Sequence, residues 1–185
     1  PPRSTLFPYT TLFRSLTING ALADGGSVTF DQPRNVIITS AGDDSGDTFT
    51  VTGTDETGTA QTEAITGADT GVATGSKYFA TVTQIAASGA SAGNVEAGSG
   101  TAIAAPIFKG SLRLRNFYVV NTGSAGTISF NEGSATGTNI MKFNTVASAN
   151  TNAYPDIGGE GLRFGGGGYV VYTQTHLSSL TVFYS

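Results

Sequence analysis

The chain has no cysteine and no tryptophan, and only one methionine and one histidine. Without cysteine there is no disulfide and no thiolate chemistry, so stability must come from packing and strand pairing. Charge is also scarce: 12% of the 185 residues are Asp, Glu, Lys or Arg, against about 25% in an average soluble domain. No apolar run reaches the roughly 18 residues that a membrane-spanning helix needs. Nor does a charged segment precede an apolar one as in a signal peptide. The net charge of -4 argues against nucleic acid as a partner, because phosphate neutralisation needs clustered Lys and Arg. A soluble chain without a membrane or nucleic-acid partner is expected.

What the chain has is 26 Gly, abundant Thr and Ser, and 11 Phe and 7 Tyr, enough apolar area for a core that a disordered chain would lack. Period-2 alternation dominates. In Thr48-Phe49-Thr50-Val51-Thr52 the apolar residues share one face and the threonines the other, the pattern of a half-buried strand. Similar runs occupy 28–30, 35–39, 60–65, 78–82, 117–121, 127–130, 139–143, 169–173 and 180–184. Gly, Asp and Ser separate nearly all of them, as in Gly42-Asp43-Asp44-Ser45-Gly46, and suit tight connections between antiparallel strands. The expected fold is all-β, with two small antiparallel β-sandwich-like modules in tandem and little helix. Phe49, Val51, Phe130 and Val182 are expected to point into the module cores.

The second half of the Gly-, Ala- and Ser-rich stretch 86–106 reads as a linker, which gives modules at 16–105 and 106–185. The opening PPRSTLFPYTTLFRS, residues 1–15, contains no Gly, Asp or Asn. It resembles a translated sequencing adapter, and we set it aside as a non-native segment expected to add nothing to folding. The two modules look alike. Arg34-Asn35 opens RNVIITSAGDDSGDTFTV and Arg115-Asn116 opens RNFYVVNTGSAGTISF, each read as a strand and hairpin, the second turn being two residues shorter. Thr57-Gly58-Thr59 then matches Thr136-Gly137-Thr138 in the register that the deletion requires. Duplication and chance matching in a Gly- and Thr-rich chain are both open at this point. Charge divides unevenly: 16–105 holds ten acidic and two basic residues, a net -8, and 106–185 holds three acidic and five basic, a net +2.

Catalytic chemistry finds little footing. No His or carboxylate cluster has the spacing of a metal site, and no G-x-S-x-G elbow is present. His176 precedes the final strand, where an exposed loop residue is expected. Asp43, Asp44 and Asp47 form the densest carboxylate group; a calcium loop is one reading, but the EF-hand spacing is absent and a solvated acidic turn is the simpler one. Asp55, Glu56 and Glu63 could serve glycoside hydrolysis, yet acids on a polar sheet are usually surface charges. Gly165 to Gly168 lack the context of a phosphate loop and read as a flexible turn or bulge. No catalytic, cofactor-binding or metal residue is expected. Lys109, Arg113 and Arg115 alternate with Leu112 and Leu114, and the chain closes on an aromatic strand. Arg113, Arg115, Phe183 and Tyr184 are therefore the candidate docking surface.

Residues 34–95, with TFTVTGTD, TGTAQTEAITG and ATGSKYFATVTQI, resemble small virion proteins of tailed phages. Residues 157–185, ending on VFYS, look like the close of such proteins, although Gly158 stands where the pattern has Pro. The resemblance implies a structural protein of the virion, as decoration, head-to-tail or tail component, with other virion proteins and further copies of itself as partners and no catalytic residues to carry over. The alternative is a cell-surface or fibre adhesin that binds a glycan or receptor through loops at one end of a sandwich.

Overall fold

The computed structural model describes residues 14–19, 22–147, 152–155 and 157–185. The strands are β1 (Arg14–Ser15), β2 (Ala23–Asp24), β3 (Ser27–Asp43), β4 (Thr48–Thr54), β5 (Ala60–Thr66), β6 (Asp69–Thr74), β7 (Phe79–Ala87) and β8 (Val95–Phe108). They continue as β9 (Leu112–Asn121), β10 (Gly126–Glu132), β11 (Thr138–Thr145), β12 (Asn152–Ala153), β13 (Leu162–Phe164), β14 (Gly168–Thr173) and β15 (Leu177–Tyr184), with one 3-10 turn at Gln174–His176. All pairings are antiparallel. The fold is all-β and sandwich-like. An 11-stranded sheet runs β11-β10-β14-β8-β3-β7-β4-β5 with β1, β2 and β6 alongside, and a 4-stranded sheet has β9 between β12 or β13 and β15.

One pairing scheme occurs twice. In the N-terminal half the second part of β3 lies between β6 and β8, and β4 lies between β5 and β7. In the C-terminal half β9 lies between β13 and β15, and β10 between β11 and β14. The sequence repeat follows this scheme: Arg34 and Arg115 sit on the equivalent strands β3 and β9, and the two TGT segments lead from a turn into β5 and β11. The expected hairpins are corrected, since β3 does not pair with β4 nor β9 with β10. Apolar residues of β3 and β4 instead share one buried cluster, and those of β9 and β10 another. The alternation that identified the strands gives each a single apolar face, and meeting across a core buries both faces whereas lateral pairing alone does not.

The first cluster gathers Val36 and Ile38 with Phe49, Val51, Ile65, Phe79, Val82, Ile85 and Ala87. The second gathers Leu112, Leu114, Phe117 and Val119 with Ile128, Phe130, Phe164 and Val170. Phe49, Val51 and Phe130 are fully buried, and Val182 is half-buried against the second cluster, as the alternation requires. Phe117 anchors its core by ring contacts to Phe130 at 5.0 Å and Phe143 at 5.2 Å, in the tilted and edge geometries that aromatic pairs prefer.

One expectation is overturned. The supposed linker, the second half of 86–106, lies within β8, whose first part pairs with β3 and whose second part pairs with β14. Hydrogen-bond partners supplied by both halves make a strand of a sequence with weak strand propensity. Of residues 1–15, Arg14 and Ser15 pair with Ala87 and Ala86, and residues 1–13 lie outside the described residues.

Candidate docking surface

The four candidate docking residues fall at one end of the smaller sheet. In β9, Leu112 and Leu114 are buried and Arg113 and Arg115 point outward, until Asn116 breaks the alternation and Phe117 turns in again. The break is a bulge: Phe183 pairs with Asn116 and Tyr184 with Leu114, so Arg115 has no partner on β15. A bulge adds one residue and re-aims the side chains after it, which lets a strand with charges outward at its start keep Phe117 and Val119 inward at its end. Beyond Tyr184, Ser185 exchanges backbone hydrogen bonds with Arg113, at 2.8 and 3.0 Å.

The arginines are held in place. Both donate to the Glu160 carbonyl, Arg113 at 3.3 Å and Arg115 at 3.0 Å, and Arg115 Nε also donates to Ser185 Oγ at 2.9 Å. Arg113 forms an ion pair with the exposed Glu160 carboxylate at 3.4 Å. Beside them lie two exposed aromatic pairs, Phe183 with Tyr154 at 6.1 Å and Tyr184 with Phe108 at 5.8 Å. Their relative exposures are 44, 62, 47 and 46% respectively, high for large rings on a folded chain. The sequence reading missed Phe108, Tyr154 and Arg163, which faces Arg113 across the sheet. Phe108 ends the strand that read as a linker. Tyr154 is carried there by the pairing of Asn152 and Ala153 with β9. For Arg163 a signal existed, since it stands between Leu162 and Phe164 with the same alternation as Arg113.

The other candidates have structural partners. Asp43 Oδ1 accepts from the backbone and hydroxyl of Ser45, which hold its carboxyl below the usual range. Asp44 is buried and accepts from the Ala92 N–H at 2.7 Å, while Asp47 accepts from Ser88. No group of three metal-ligating side chains converges among the described residues. Glu63, nearly buried, accepts from the backbone of Ser76 and Lys77 and from the Ser76 hydroxyl. Asp55 closes its own turn: burial raises its pKa, but hydrogen bonds from Thr57 and Thr59 together with the Lys109 charge outweigh that and lower it. Glu56 crosses to the other half and accepts from the Ala135 N–H at 3.2 Å. The glycine turn at 165–168 holds the Glu132 carboxylate on the N–H groups of Gly165 and Gly166, and a register shift at Gly168 and Tyr169 makes it a bulge.

His176 departs from its expected exposed loop. It is half-buried in the 3-10 turn, and a side chain at Gly126 would run into its ring. Two grooves remain. One of about 310 Å³ is lined by Ile103, Tyr172, Gln174 and Leu180, and one of about 620 Å³ by Leu16, Ile18, Phe30, Val82 and Val95. No protein family, curated protein or solved structure matches this chain.

Proposed function

We propose that this chain is a structural protein of a tailed-phage virion, a decoration, head-to-tail or tail component that acts through protein–protein contacts. The observation that carries the reading is the end of the smaller sheet, where Arg113 and Arg115 lie on β9 next to the last strand, β15, whose exposed Phe183 and Tyr184 rings meet those of Tyr154 and Phe108. Arg and Tyr are the types enriched in interface hot spots, and exposed apolar area gathered in one place marks an interaction site. The sequence resemblance over 34–95 and 157–185 supplies the particle context. A role in an assembly also accounts for a protein whose carboxylates mostly close its own turns.

The test is co-expression with the genes that flank its coding sequence, followed by density-gradient sedimentation and quantitation. The chain should sediment with assembled particles at a fixed ratio. Particles that assemble without it, flanking genes that yield no particle, or binding of the isolated chain to cells or a glycan array would overturn the reading, the last in favour of an adhesin.

A further inference from the structure

The fold carries two like-charge pairs directly across paired strands. Arg113 faces Arg163 between β9 and β13, with Arg115 two residues along, and Asp43 faces Asp69 between β3 and β6. Like charges in that position destabilise a sheet. Among the described residues the ion pairs are Arg34 with Asp31 and Arg113 with Glu160, so Arg163, Asp43 and Asp69 have none. The acidic pair lies in a wider acidic tip, where Asp44 donates its N–H to the Ala68 carbonyl and Gly67 donates to the Asp47 carbonyl. No Lys or Arg occurs between Arg34 and Lys77 to offset it.

The two charged ends cannot neutralise each other within one molecule. β4 runs from the tip, where the Thr48 N–H donates to Ser88 Oγ, to Thr54, and the turn after it carries the Glu56 contact to Ala135 in the other half. The tip therefore stands about one strand length, roughly 20 Å, from that contact. The arginines lie on the outer face of the smaller sheet, while Leu112, Leu114 and Phe164 of the same strands face its core.

We infer that the basic and aromatic end of one copy docks on the acidic tip, Asp43, Asp47 and Asp69, of a second copy. This rests on the proposed docking role of that end and names its occupant. Charge complementarity singles out the second copy: the cations at facing positions of β9 and β13 meet the carboxylates at facing positions of β3 and β6 in one contact. The two surfaces are different, so the contact is heterologous and propagates head to tail into a ring or a filament. Such closure or extension is what a particle component uses. Electrostatic contacts of this kind are strongly screened at about 1 M salt, where the Debye length is about 3 Å.

Sedimentation velocity on the full chain tests it, with Arg163→Glu and Asp69→Lys as variants. Both substitutions replace a like-charge pair by an opposite one at an exposed position, so each should melt at or above the wild-type temperature. The wild type should associate with rising concentration at low salt and dissociate at 1 M salt. Each variant alone should associate at least tenfold more weakly, and a 1:1 mixture should form dimers that grow no further, because only one competent interface remains. A wild type that is monomeric throughout, variants that assemble as well as the wild type, or a mixture that stays monomeric would overturn the inference. A wild type that enters particles yet stays monomeric in solution removes the second copy as occupant and leaves the particle role standing; one that self-assembles but stays out of particles does the reverse.

Discussion

The two halves repeat one pairing scheme but finish it differently. In the N-terminal half the strand that leads in and the central strand are one element, β3, which pairs with β7 in its first part and with β6 and β8 in its second. In the C-terminal half the equivalent path is broken after Phe108, and β9 begins a separate sheet at Leu112. Both halves keep buried polar groups, Asn35, Ser40, Asp44 and Glu63 around the continuous strand and Asn121, Asn131 and Thr145 in the other half. The half with the break packs Phe117 against Phe130 and Phe143 and leaves rings exposed at its end. The difference teaches that the Thr and apolar alternation sets the cores, whereas the strand ends set the surfaces. β8 ties both together, since it closes one half and opens the other.

The largest expected effects test whether the halves share stability. Phe49→Ala and Phe117→Ala should each cost about 3–5 kcal/mol, the range for a fully buried Phe. Because β8 pairs with both halves, each should shift a single unfolding transition, read by urea titration with near- and far-ultraviolet circular dichroism. Two transitions, each sensitive to one substitution, would show that the halves are energetically separate.

Next come the two carboxylates that hold a turn. Glu63 is nearly buried on the N–H groups of Ser76 and Lys77, while Glu132 holds Gly165 and Gly166 in an exposed turn. The Glu63 bonds are part-buried and those of Glu132 exposed; losing a partner away from water costs about 1–3 kcal/mol, whereas exposed donors recover water. Glu63→Ala should therefore lower the urea midpoint clearly more than Glu132→Ala, and the reverse order would break the comparison.

Where the halves touch, pH should act from both sides. Asp55 has its pKa lowered in the fold, so its contribution is present above the unfolded value near 3.9 and is lost as pH falls through the depressed folded value. Tyr169 has its pKa raised by burial and by the Glu56 and Asp55 charges. Its contribution is complete below the unfolded value near 10 and is lost as pH rises through the raised one. Urea midpoints against pH should fall at both extremes, with Asp55→Asn flattening the acid limb and Tyr169→Phe the alkaline limb. An acid limb unchanged in Asp55→Asn would assign it to other carboxylates.

The smallest effect lies inside the N-terminal core. Ser40 Oγ is buried without a hydrogen-bond partner, and leaving a hydroxyl so costs about 1 kcal/mol or more. Ser40→Ala should raise stability by about 0.5–1 kcal/mol. A loss measured by the same titration would mean that the hydroxyl is satisfied in solution.

Much of this was legible from residue alternation alone. The runs at 48–52 and 127–130 announce β4 and β10 because Phe49, Val51, Ile128 and Phe130 fall on one face. β8 was not legible, since its residues are small for a tertiary reason: a side chain at Gly100 would run into the Asn35 amide. A strand shaped by close approach of its neighbours looks like a linker in sequence. The docking residues divide likewise. Arg113, Arg115, Phe183 and Tyr184 announced themselves by their place in alternating strands, whereas Phe108 and Tyr154 meet Tyr184 and Phe183 through long-range register.

The central proposal is that the arginine and aromatic end of the smaller sheet would hold this protein in a virion particle. The direct measurement is incorporation of full-length Phe183→Ser/Tyr184→Ser into particles co-expressed from the flanking genes, against wild type, after circular dichroism shows matched folds. Both rings are about half exposed, so folding should survive the change. The account predicts at least a tenfold loss of incorporation. Incorporation at the wild-type ratio would contradict it.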